Sequence, residues 1–103
     1  MSSLLDVRIQ GESMWPTFED GQTLTFRTLD DTMTLSEGEV VLVRHPLKEG
    51  VVMVKRIARI EQDGRLFLLG DHPDPLASED SHNFGPVSPD SVQAKWTGEG
   101  WRA

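Results

Sequence analysis

The sequence predicts a mainly β protein: a single antiparallel β domain with a long irregular loop near residues 70–90. Three observations predict it. Turn dipeptides recur at Asp20-Gly21, Glu37-Gly38, Glu49-Gly50, Asp63-Gly64 and Gly70-Asp71. Short runs rich in β-branched and aromatic residues lie between them. No window keeps a 3.6-residue apolar period for three turns, so helix signals are weak.

The elements follow in order. Gln22 to Thr28 alternates, with Leu24 and Phe26 on one face and Thr23, Thr25 and Arg27 on the other. Glu39 to Arg44 is a run of the buried type, apolar throughout Val40–Val43, and His45-Pro46 ends it at what looks like the surface. Val51 to Ile60 is the longest candidate strand, and Asp63-Gly64 turns it into Arg65–Leu69. A last strand is expected from Ser91 to Thr97. Between them, Gly70 to Asp90 holds four prolines, two histidines and many small polar residues. A loop of about 20 residues inside a small domain is uncommon and often functional.

The chain has 103 residues, which suits one domain spanning 1–103. Its formal net charge is −7, with no cysteine. Phosphate backbones and anionic membrane surfaces repel such a chain, so no nucleic-acid partner is expected. Disulfides, thiolate metal sites and a cysteine nucleophile are excluded. The longest uninterrupted apolar runs are four residues, far short of a membrane span. Asp6 and Arg8 interrupt the place where a signal peptide would be apolar. A soluble, cytoplasmic protein without a membrane anchor is expected.

Two places carry chemistry. In the run from Val51 to Ile60, each face holds apolar residues with a cation among them. If both faces are covered, Lys55 or Arg56 is substantially buried. Arginine keeps its proton, whereas a desolvated lysine gives it up and becomes a base. The ordinary alternative is a lysine that snorkels to water. Earlier, Gly11-Glu12-Ser13-Met14-Trp15-Pro16-Thr17 puts a serine on a rigid turn, where it is either a polar turn residue or a nucleophile. His72 and His82 lie near Asp71, Asp74 and Asp80, but without metal-ligand spacing, so no metal or other cofactor is expected.

These segments resemble the signal peptidase I family of Ser/Lys serine peptidases. SMWPT at 13–17 matches its nucleophile motif, VKRI at 54–57 its lysine strand, and GDHPDPLASEDSHNFGPV at 70–87 its Gly-Asp-Asn box. The resemblance implies a β domain of the signal peptidase type and a serine endopeptidase with a Ser/Lys dyad. Ser13 takes the place of the nucleophile and Lys55 that of the general base. The Ser13 backbone N–H becomes an oxyanion donor. Ser78 takes the place of a serine that orients the lysine, Asp80 that of a bracing carboxylate, and Asp71 that of the box's first acid. Met14 and Trp15 are candidates for a wall against the substrate, or for core packing. Gly11 stands where many relatives carry a second oxyanion hydroxyl, and His72 and His82 stand where the box has Asn and Arg. A short chain of this kind is most similar to the proteases that mature nickel-type superoxide dismutase. That implies a precursor protein as partner and removal of its N-terminal propeptide. Two alternatives are a self-cleaving repressor-type Ser/Lys peptidase and an inactive peptide-binding β domain.

Overall fold

The computed structural model describes residues 3–101, and for 100 and 101 the backbone alone. Six strands form one antiparallel sheet: β1 (Leu4–Arg8), β2 (Thr23–Thr28), β3 (Val40–Arg44), β4 (Val52–Ile60), β5 (Leu66–Leu69) and β6 (Val92–Trp101). Their spatial order is β1-β2-β6-β3-β4-β5, so the last strand stands between the second and third. Four of the strands lie where the alternation and turn signals put them. The β4–β5 hairpin closes through Glu61 and Arg65, with Gly64 donating to the Glu61 carbonyl at 2.9 Å and adopting φ +89°.

β1 is an addition. Leu5-Asp6-Val7-Arg8-Ile9 carries a period-2 alternation that marks such a strand. Leu5 and Val7 pair with Phe26 and Leu24 and pack, partly buried, on the cluster that holds those two. β6 also runs beyond the expected Thr97 to Trp101. The side chain of Trp101 lies outside the described residues. Trp96 packs edge-on against Phe18, with centroids 4.9 Å apart, as a cover for the core.

The core lies on both faces of the sheet. Val40 and Leu42 join Ile9, Met14, Phe18, Leu24, Phe26 and Ala94. Val41 and Val43 join Ile57, Leu66, Leu68, Val87 and Val92. Successive residues of β3 therefore enter opposite clusters, which is why its apolar run is continuous rather than alternating. In β4 only Lys55 and Ile57 are fully buried; Lys55 faces Val41 across the ladder and the half-buried Arg56 faces Val40.

The 70–90 segment contains no strand, as expected, but short helical turns pin it down. These are Pro75–Ala77, α1 (Ser81–Phe84) and Pro89–Ser91. Asp74, Asp80 and Ser88 cap their N-termini by accepting backbone N–H bonds. Single turns capped by side chains leave no amphipathic period to read.

Candidate active site

Ser13 and Lys55 line one cleft of about 430 Å³. One wall is Val7–Gln10, and the other is the start of β4, Val51–Lys55. Here β4 is an open edge. β3 pairs with Val52–Arg56 on one side, but β5 reaches only Arg56 on the other. His45 donates its N–H to Val51 and Ile57 donates to Glu39, so odd residues bond toward β3. The N–H and C=O groups of Val52 and Val54 therefore face the unpaired side.

Lys55 is 4% exposed. Alternation puts it on the face of Met53 and Ile57, beneath the second core cluster. Burial pulls its amine below the ordinary 10.5, and the Asp80 and Glu79 carboxylates restore part of that drop. Its Nζ donates to Ser78 Oγ at 3.3 Å. Among the described residues, its hydrogen bond goes to Ser78 and not to Ser13. A proton transfer from Ser13 thus requires the two side chains to approach each other.

The nucleophile turn is anchored from several sides. His72 donates its N–H to the Ser13 carbonyl at 3.0 Å. Gly70 sits between the parts: a Cβ there would lie 2.2 Å from Ser78 Oγ and 2.6 Å from the Ser13 oxygen. Only a glycine lets those two segments meet. Thr17 donates to Asp71 Oδ2 at 2.6 Å, and Arg56 grips the same carboxylate with Nε at 2.9 Å and Nη2 at 2.7 Å. Burial raises the Asp71 pKa, but the Arg56 and Thr17 hydrogen bonds outweigh it and hold the carboxyl below its ordinary 3.8. Asp71 thus ties the nucleophile turn to the lysine strand, and Arg56, the other cation of the pair, is spent on it.

Asp80 is buried and caps α1, accepting from the His82 N–H at 2.9 Å, and its charge reaches Lys55 through space. His82 Nδ1 lies 3.3 Å from Asp80, while most of its side chain is in solvent. Met14, 1% exposed, is a core residue that also borders the cleft. Trp15 is 40% exposed, outside the cleft lining, and sits against the His72 ring at 5.5 Å. The Trp15–Pro16 peptide bond is cis. The Gly11 N–H is taken by Asp20 Oδ1 at 2.8 Å, which leaves that backbone group no hand in an oxyanion hole.

The sequence reading put His45 at the surface, but it is buried, and this is a correction. The β3–β4 hairpin folds back over it: Leu47 donates to its Nδ1 at 3.0 Å, and Phe84 packs on the ring at 5.1 Å. Thr17, Arg56 and Gly70 were missed as site residues. The Thr at the end of the SMWPT motif and the Arg beside the lysine were the signals that point to the first two.

Comparison with known families matches residues 2–83 to Peptidase S24-like. No curated protein matches the chain. Among the described residues, no helix is long and apolar enough to cross a membrane.

Proposed function

From the premise that the chain belongs to the Peptidase S24-like family, we propose that it is a serine endopeptidase with a Ser13/Lys55 dyad. One observation carries the reading: a lysine stripped of water stands in the same cleft as the motif serine, with its amine held by a second hydroxyl. Desolvation favours the neutral amine, and only a neutral amine accepts a proton.

In this reading, Lys55 Nζ takes the Ser13 hydroxyl proton as Oγ attacks the scissile carbonyl. The Ser13 N–H stabilises the oxyanion. The lysine then passes the proton to the leaving amine, and the peptide bond breaks to an acyl-enzyme. Water, deprotonated by the same amine, releases the acyl group and restores Ser13. Ser78 keeps the amine aimed, and Asp71 with Arg56 and Thr17 keeps the nucleophile turn against β4. The substrate adds as an extended strand to the free Val52–Val54 edge, where main-chain bonds fix its register. Met14 forms part of the apolar cleft wall.

The substrate we propose is a precursor protein, the propeptide-bearing form of nickel superoxide dismutase, whose nickel belongs to the substrate. The sequence contains no Ala-Gly pair of the kind that repressor-type peptidases cut in themselves. The test incubates the chain with that precursor. Cleavage by wild type, lost in Ser13→Ala and in Lys55→Ala with folding intact, is expected. Undiminished cleavage by either variant defeats the dyad, and self-processing of the purified chain would favour the repressor-type alternative.

A further inference from the structure

A buried histidine in the lining of the same cleft is used by none of these steps. His45 follows β3 directly, and its side chain is 3% exposed. Its Nδ1 accepts the Leu47 N–H, so the ring proton of the neutral form sits on Nε2. That N–H meets Glu79 Oε1. The other carboxylate oxygen takes Lys48 Nζ at 3.2 Å. Glu79 follows Ser78, whose Oγ holds the Lys55 amine, and precedes Asp80, which caps α1. Beyond Glu79 the chain is well tied. Asp80 and Asn83 form a reciprocal capping box, and Ser81 Oγ accepts the Leu68 N–H at 2.8 Å. On the Ser78 side it turns out of a single helical turn into extended backbone, at φ −141°.

We propose that His45 is a positioning residue of the Ser/Lys reaction: by gripping Glu79 from a fixed, buried ring, it holds Ser78 Oγ on Lys55. The proposal rests on the dyad reading above. The geometry favours it because His45 directly follows β3, the strand paired with Val52–Arg56 of β4, and its own N–H bonds the Val51 carbonyl at 2.8 Å. The grip therefore references the Ser78 segment to the frame that carries the lysine. A long, half-exposed glutamate would otherwise sample many rotamers and leave Ser78 free to drift. The same grip keeps the Glu79 charge near the amine. The titratable groups around Lys55 are Asp80 and Glu79; those around Glu79 are His45 and Lys48; Arg56 is bound to Asp71 on the opposite face.

The test uses the full chain with His45→Leu, His45→Gln, Glu79→Ala and Glu79→Gln. It measures kcat and KM on the dismutase precursor and the titration of the Lys55 side chain by NMR. His45→Leu and Glu79→Ala are expected to lower kcat on the order of 10–100-fold, the range for misplacing a group by about 1 Å, with KM nearly constant. His45→Gln keeps an N–H within reach of Glu79 and recovers most of the rate. Glu79→Gln moves the Lys55 titration and the acidic limb of the rate profile to lower pH. Wild-type kcat and an unmoved lysine titration in both His45→Leu and Glu79→Ala overturn the proposal. If His45→Leu does not fold, the half-exposed Glu79 variants decide alone. If the precursor is not cut at all, the titration decides. Full activity in Lys55→Ala defeats the dyad itself, whereas an inactive Lys55→Ala beside unaffected His45 and Glu79 variants defeats only the grip.

Discussion

Gly70→Ala is the sharpest probe of how the site is assembled. The backbone there is not left-handed, so alanine meets no conformational penalty, and the unfolded chain loses entropy, which favours folding by about 0.4–1 kcal/mol. Against this stands one methyl group. Its carbon would sit 2.2 Å from Ser78 Oγ, 2.6 Å from the Ser13 carbonyl oxygen and 2.8 Å from Ser78 Cβ. Contacts under 3.0 Å do not persist, so Ser78 Oγ must retreat by about 0.8 Å and the Ser13 carbonyl by about 0.4 Å. The Lys55–Ser78 bond already measures 3.3 Å, so a retreat directed away from the amine breaks it. Overpacking of this kind costs about 1–3 kcal/mol. The net destabilisation is then roughly 0–2.5 kcal/mol, or a fall in Tm of up to about 10–15 °C. The catalytic loss should be larger than the stability loss implies, because the nucleophile and the lysine's hydroxyl partner are pushed apart together. Thermal unfolding and precursor cleavage are measured on the same preparation, with kcat expected to fall on the order of 100-fold. A Gly70→Ala protein as stable and as active as wild type would show that Ser13 and Ser78 do not meet over this residue.

Three further outcomes are expected. Lys55→Met should raise stability at neutral pH, because it removes a buried amine whose charged form desolvation disfavours. The lysine pKa is lowered in the folded state, so the unfolded chain binds the extra proton between that lowered value and the ordinary 10.5, and wild-type stability rises with pH across this window. The Lys55→Met advantage should therefore shrink toward pH 10.5 in urea melts, and a constant difference would contradict the burial. Asp71→Asn should cost about 1.5–3 kcal/mol at pH 7 by loosening the Arg56 and Thr17 bonds. Its carboxyl is held below 3.8, so the stability it contributes is present above the unfolded value and lost as pH falls through the folded one. The variant should converge with wild type in acid, as followed by pH-dependent melts. Gly11→Ser faces open space but a φ of +84°, and should cost about 1–2 kcal/mol in chemical denaturation without any packing defect.

Much of this molecule was legible as period-2 patterning. Leu24 and Phe26, the Val40–Val43 run and the Asp63-Gly64 turn each follow from local rules of strands and turns, and the structure keeps them. The three motif segments were readable too, since Ser13, Lys55 and Ser78 stand at recognisable places along the chain. β1 was passed over because five residues with two partly buried side chains give a faint signal. His45 was misplaced because a histidine before a proline says nothing of the hairpin that later folds over it.

By itself the chain determined the fold class, the acidity and the residue types available for chemistry. Its local pattern posed a choice between two adjacent cations on one strand, and the motif resemblance alone favoured Lys55. The tertiary structure resolved the choice through charge and water. Asp71 arrives from a distant loop to neutralise Arg56 on one face, while the second core cluster covers Lys55 on the other. Which cation loses its water depends on what packs over each face of β4, and that is a property of long-range contacts rather than of neighbours in the chain.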